Sequence, residues 1–246
     1  MTTNEKTKKI QLSASQIILF KSCPRSWYWK YVMKVKEPYM PWLNTGLAFH
    51  LCIEHTYMKI RGDEIKKPKY FDEDLIDLVN IGFDKGILEV PNNFLLEHNI
   101  KVPLCEGAYL KGIIDFVNVD DGKIEDHKTV SSWKYAETEE TLKNNMQLLI
   151  YAKWYLNKVK TRKSVYLKHN QFHKNAPETS KSVEVKVSRD YVENYWEKEV
   201  MSYVNQMIEM KTNTDEKAFD FNLDSCGNYG GCSFLDKCSD GVKKEK

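Results

Sequence analysis

Apolar and polar positions follow two different periods along this chain. From Ser13 to about residue 88 the period is helical. Ser13-Ala-Ser-Gln16 has the spacing of a capping box and predicts a helix start, with Ile17, Ile18 and Phe20 carried up to Cys23-Pro24. Pro24 suits the first turn of a second helix, Arg25 to about Val32, where its missing N–H is harmless. Asn44 predicts the cap of a third helix, with Leu47, Leu51, Tyr57 and Met58 spaced for burial. On that helix His50 and Glu54 lie one turn apart and share a face. Residues 71–88 repeat the helical period, and Pro91-Asn-Asn ends it.

The period then shortens. Tyr109 to Val119 and Lys123 to His127 read as two strands joined by Asp120-Asp-Gly122, a strong hairpin turn. A helix over about 139–157 follows, then alternating strands at Val165–Phe172 and Val183–Val187. Ser188 predicts the cap of a last amphipathic helix that buries Val192, Tyr195, Trp196, Val200, Val204 and Met207. The order of helices, hairpin, helix, two strands and helix predicts an α/β fold with a mixed β-sheet flanked by helices. The expected division is a loose arm over 1–11, one domain over 12–240 and a tail over 241–246. Within the domain, 12–95 is the N-terminal helical part, 100–212 the core and 222–240 a cysteine-rich end.

The length of 246 residues allows one large domain with a sizeable core, so the six cysteines are not needed as staples of a small fold. No apolar run follows the lysine-rich start, and no stretch is long enough to span a bilayer, which predicts a cytoplasmic protein. Thiols stay reduced there, so the cysteines favour metal or cluster binding over disulfides. The net charge of +2 excludes a polycation. Nucleic-acid affinity would have to come from local basic patches, and two are visible. One is Lys30, Lys34 and Lys36 after Arg25; the other is Lys158, Lys160, Arg162 and Lys163. Each is also what a solvated helix end or turn looks like. No Walker A pattern is present, so the chain carries no helicase motor of that kind.

Chemistry concentrates in two places. Asp115 ends the apolar strand Leu110-Lys-Gly-Ile-Ile-Asp, while Asp126 and Lys128 lie two apart on the next strand and share a face. A hairpin can bring Asp115 against that pair. Two converging carboxylates suit a hard cation such as Mg²⁺ or Mn²⁺, which would activate water for phosphodiester attack. Lys128 would assist that water or hold the phosphate. Taken alone, the motif is also that of an exposed strand on which Asp126 pairs with Lys128. The second place is the chain end, where Cys226, Cys232 and Cys238 follow one another with five residues between each, and Cys23 lies far upstream. That spacing is wide for structural zinc, whereas a [4Fe–4S] cluster needs four thiolates and no single spacing. Zinc and unligated thiols stay open as alternatives. Cys52 and Cys105 are expected to be small buried apolar residues.

The hairpin with its two acids and lysine resembles the core of the PD-(D/E)XK nuclease superfamily, in its RecB-like branch. Gly46-Leu-Ala-Phe-His50 resembles that branch's G-x-x-x-H segment, and Gln147-Leu-Leu-Ile-Tyr151 its Q-x-x-x-Y helix. Leu12-Ser-Ala-Ser-Gln with Cys23-Pro-Arg resembles its N-terminal opening, so the likeness runs from about Leu12 to Cys238. Ile114 stands where the family pattern has proline. The resemblance implies a metal site of His50, Asp115, Asp126 and the backbone carbonyl of His127, whose side chain would face away. It implies Lys128 as the catalytic lysine, with Gln147 and Tyr151 supporting the site and the substrate strand. Glu54 and Glu106 are weaker candidates for an added carboxylate. One early and three late cysteines resemble the iron-staple nucleases, in which Cys23, Cys226, Cys232 and Cys238 would hold a structural [4Fe–4S] cluster.

These expectations add up to a Mg²⁺- or Mn²⁺-dependent deoxyribonuclease, an exonuclease acting at DNA ends or on single strands. Its setting would be recombination, repair or CRISPR adaptation. Partners would be DNA and a helicase, a single-strand annealing protein or CRISPR-adaptation proteins, with no membrane. The alternative is a non-catalytic Fe–S module that binds DNA or a partner.

Overall fold

The computed structural model describes residues 9–38, 41–63 and 72–240. Most of the expected arm and all of the tail at 241–246 lie outside the described residues. The chain divides into two compact units: Met1–Tyr39, Lys101–Gly112 and Tyr195–Lys246 form one, and Met40–Ile100 and Ile113–Asn194 the other.

The first unit begins with strand β1, Ile10–Leu12, so Ile10 and Gln11 belong to a sheet and not to a loose arm. Helix α1, Ala14–Ser22, starts where the capping box predicts: the Ser13 hydroxyl accepts from the Gln16 N–H. Helix α2, Pro24–Trp27, has proline at its first position and runs on as a π-helical turn over Tyr28–Val32. Buried Arg25 is not part of an exposed basic patch. Its Nε and Nη2 donate to the Phe219 carbonyl at 3.1 and 2.9 Å, and Nη1 pairs with Asp240. One side chain therefore ties this helix to the end of the chain. Arg25→Ala leaves that carbonyl and carboxylate without their cation; we expect a loss of about 3 kcal/mol, read from chemical denaturation. Lys30, from the same expected patch, pairs with Glu37.

The second unit is built on helices and a mixed sheet. Helix α3 spans Pro41–Arg61, so it starts at a proline, and Asn44 lies inside it instead of capping it. Its buried face is Ala48, Phe49, Cys52, Ile53 and Tyr57, whereas Leu47 is 55% exposed. Helix α4, Glu73–Asp84, is capped by Asp72. These two helices pack on Phe116 and Phe172 of the sheet, with Leu75, Leu78, Val79, Ile87 and Leu88 completing the core.

Strand β2, Phe94–Cys105, is absent from the sequence reading; with β3, Ala108–Asn118, it runs from one unit into the other. Within the first unit β1 pairs parallel with β3, Ile10 opposite Ala108. Within the second, β3 pairs antiparallel with β4, Lys123–Val130, with Phe116 opposite Glu125. The turn between them is closed by Asn118, which accepts from the Asp121 N–H, and by the Gly122 N–H donating to the Asn118 carbonyl. Gly122 has φ +69°, where a side chain is strained, and a Cβ there would also push the Arg162 side chain aside. Arg162 donates to the Asp120 and Asp121 carbonyls, a structural use of a residue in the second basic patch.

The helix expected over 139–157 is two helices. Helix α5, Glu139–Lys143, carries a Thr138–Thr141 capping box, and α6, Met146–Lys158, begins at Asn145, whose side chain accepts from the Leu148 N–H. Two consecutive asparagines compete for the backbone and break the helix there. Strands β5, Ser164–His173, and β6, Lys181–Ser188, follow; β5 is parallel to β4 and antiparallel to β6, which makes the sheet mixed. Ser188 accepts from the Tyr191 N–H at the head of helix α7, Arg189–Tyr195, which continues through a π-helical turn into α8, Met201–Met210. The six apolar residues expected to be buried on this helix are buried. Among the described residues no helix is long and apolar enough to cross a membrane.

Candidate metal centre and cysteine-lined cavity

In the second unit, β2, β3 and α3 bring three donors together. His50 Nδ1 lies 3.4 Å from a Glu97 oxygen and 3.7 Å from Asp115 Oδ2. The donor atoms of His50, Glu97 and Asp115 all lie within 4.8 Å of one another. Ligands about 2.1 Å from one octahedral cation sit roughly 3 to 4 Å apart, so this set fits a small divalent ion. The chemistry also fits: the two carboxylates suit a hard ion such as Mg²⁺ or Mn²⁺, and the imidazole favours Mn²⁺ of the two.

Burial, then the nearby Asp126 charge, pushes the Asp115 carboxyl up to about 6, against Lys128, His50 and the His127 N–H that donates to it at 2.8 Å. His50 is raised above its ordinary value: burial opposes protonation, but Glu97 and Asp115 outweigh it.

Asp126 stands beside this set without joining the three. Its Oδ1 accepts from Lys128 Nζ at 2.6 Å and from Gln147 Nε2 at 3.2 Å, and its Oδ2 lies 3.2 Å from His169 Nε2. Burial alone would raise its pKa, but Lys128 and His169 hold the carboxyl well below the usual range. Lys128 remains 45% exposed, so its ammonium can meet a ligand from solvent. Gln147 and Tyr151, one turn apart on α6, are linked by the Gln147 amide donating to the tyrosine oxygen at 3.3 Å. Burial keeps the Tyr151 hydroxyl protonated.

His127 turns its ring away from Asp126, with Nδ1 3.1 Å from the Asn170 amide; burial, with the His50 charge, drops its pKa to about 3. Glu106 is exposed in the turn before β3 and is not in the donor set. Glu54 is not in it either, though burial and the Glu97 charge raise its pKa. Two members of the site escaped the sequence reading. Glu97 occupies a left-handed conformation, φ +44°, inside β2, and His169 is brought to Asp126 by the β4–β5 register. Glu97→Gln removes a charged donor; we expect Mn²⁺ affinity to fall about 10- to 100-fold by calorimetry.

In the first unit Cys23, Cys226, Cys232 and Cys238 line one small cavity, together with Arg25, Ser26, Trp29 and Phe234. None of the four is in a disulfide. Ser26 Oγ is 3.5 Å from Cys232 Sγ. Cys52 is buried as expected, whereas Cys105 is exposed at the end of β2, where the strand's alternation points it outward.

A family model described as the PD-(D/E)XK nuclease superfamily matches residues 11–85 and 79–239. No curated protein matches the chain. Among solved structures, a proposed exonuclease from Eubacterium rectale is similar at 13% identity and TM-score 0.57, over 100% of this chain and 96% of that one. SSO0001 is similar at 14% identity and TM-score 0.46, over 98% and 90%. LHK-Exo in complex with dAMP is similar at 15% identity and TM-score 0.35, over 86% and 94%.

Proposed function

The chain belongs to the PD-(D/E)XK nuclease superfamily, and from that premise we propose that it is a divalent-metal-dependent deoxyribonuclease that works from DNA ends or on single strands. The observation that carries this reading is the convergence of His50, Glu97 and Asp115 beside the Asp126–Lys128 pair. A bound Mg²⁺ or Mn²⁺ would supply Lewis-acid stabilisation of the phosphate and a more acidic water. The protein's own residues do the rest. Asp126, kept ionised, anchors Lys128, whose exposed ammonium faces the charge that develops on the phosphate. His169 holds the other Asp126 oxygen, and Gln147 couples that carboxylate to Tyr151. Whether Asp126 and the His127 carbonyl also ligate the metal is part of the same proposal.

Acid works against this site in two ways. Below about pH 6 Asp115 takes up a proton, and His50, raised above its ordinary value, is protonated before it. Neither binds a cation in that form. Cleavage and Mn²⁺ affinity should therefore both fall as the pH drops from about 8 to 5.5; a flat profile contradicts the ligand assignment.

We place a [4Fe–4S] cluster in the cavity of Cys23, Cys226, Cys232 and Cys238. Four cysteines on one cavity wall suit such a cluster, which needs no single sequence spacing, whereas five-residue gaps are wide for structural zinc. The setting we favour is recombination, repair or CRISPR adaptation, alongside a helicase, a single-strand annealing protein or adaptation proteins. Linear and circular single-stranded and duplex DNA separate the modes of cleavage. Digestion of linear DNA with circles intact supports an exonuclease, and cleavage of circles makes it an endonuclease. Tight DNA binding without cleavage, in protein that holds its metal, favours the binding module.

A further inference from the structure

One wall residue of the four-cysteine cavity carries an unanswered donor. Trp29 lines it, and the Trp29 Nε1–H is buried without a hydrogen-bond partner. An indole N–H can only donate. A buried donor left unpaired costs on the order of a full desolvation penalty, so such groups in folded proteins nearly always have an acceptor. Another wall residue sets a hydroxyl beside one of the sulfurs: Ser26 Oγ lies 3.5 Å from Cys232 Sγ. The cavity thus has four cysteine sulfurs on its wall, a hydroxyl beside one of them, and a wall residue with an unpaired N–H. Trp27 makes a useful contrast: its Nε1–H is also unpartnered, but the residue packs on Phe20 and Phe219 and does not line the cavity.

We propose that the Trp29 Nε1–H donates to a sulfur of an iron–sulfur cluster held by Cys23, Cys226, Cys232 and Cys238, and so sets the reduction potential and the durability of that cluster. This rests on the cluster reading given above. A hydrogen bond to sulfur stabilises the extra negative charge of the one-electron reduced form, and it makes the sulfur a poorer target for oxidants. Trp29 is a positioning and tuning residue; the hydrolytic site lies on other strands.

The test uses the whole chain, purified without air and supplied with ferrous iron and sulfide. Native protein is compared with Trp29→Phe, which keeps an aromatic ring and loses the N–H. Iron and sulfide per chain should be equal in the two. The one-electron midpoint, read by dye titration, should move to more negative potential in the variant. Bleaching of the cluster in air should be about two- to tenfold faster, the range expected for one hydrogen bond. Trp27→Phe should leave the midpoint where it is. Should Trp29→Phe misfold, benzothienylalanine at position 29 keeps the shape of indole without its N–H and decides the matter. Equal midpoints and equal bleaching at equal iron content overturn the role of Trp29 and leave the cluster standing. Native protein that takes up no iron overturns both.

Discussion

Replacing Asp115 by Asn is expected to lower metal-dependent cleavage by at least about a thousandfold and, in metal-free protein near pH 8, to raise stability. The two effects share one cause. Asp115 is 8% exposed, and burial and the Asp126 charge lift its carboxyl to about 6. A carboxyl raised above its unfolded value contributes stability that is present below about pH 4 and lost as the pH rises through about 6. At pH 8 the ionised group sits in a site that opposes it, at a cost of up to about 3 kcal/mol. A cation reverses that balance, which is why the site is strained without one. Asparagine keeps an oxygen to accept the His127 N–H, now 2.8 Å from Oδ2, so the strand pair survives. The measurements are cleavage of linear DNA and thermal unfolding in chelator at pH 8. An active Asp115→Asn protein, or one that melts below the native chain there, contradicts this account of the site.

Replacing Cys23 by Ser is expected to remove the cluster and about 5 kcal/mol of stability. A crosslink from Cys23 to the cysteines at the chain end closes a loop of about two hundred residues, which removes chain entropy from the unfolded state on that scale. Arg25 bridges the same segments by its bonds to Phe219 and Asp240, so the variant should loosen without unfolding outright. Cys52→Ser is the control, because Cys52 is as deeply buried but lies in the core of α3 and α4. It should lose stability on the order of 1–3 kcal/mol and keep its iron. Iron content and denaturation midpoints under nitrogen read both. A Cys23→Ser protein that retains a full complement of iron removes Cys23 from the ligand set.

Much of this arrangement is legible in the chain because its signals are local. The Asp120-Asp-Gly122 turn names its hairpin, and that hairpin delivers Asp115 to the Asp126–Lys128 strand. Gln147 and Tyr151 are one helical turn apart, so their shared face follows from spacing alone. What stayed hidden depends on partners distant in sequence or on an irregular backbone. Ile100, Val102 and Leu104 alternate with polar residues as a strand should, but Pro103 reads as a break, and Glu97 sits where a left-handed residue interrupts the period. His169 lies on a strand buried on both faces, and only its register opposite Asp126 gives it a role. Cys105 looked apolar and is exposed, because the alternation of β2 turns it outward.

The most direct measurement is cleavage of linear single-stranded DNA by protein purified without air, with Mn²⁺ and with chelator, beside Lys128→Ala. The account predicts cleavage that requires the metal and falls about 100- to 1,000-fold in the variant, whose metal-binding groups are intact. Cleavage that persists in chelator, or that Lys128→Ala leaves at the native rate, would contradict it.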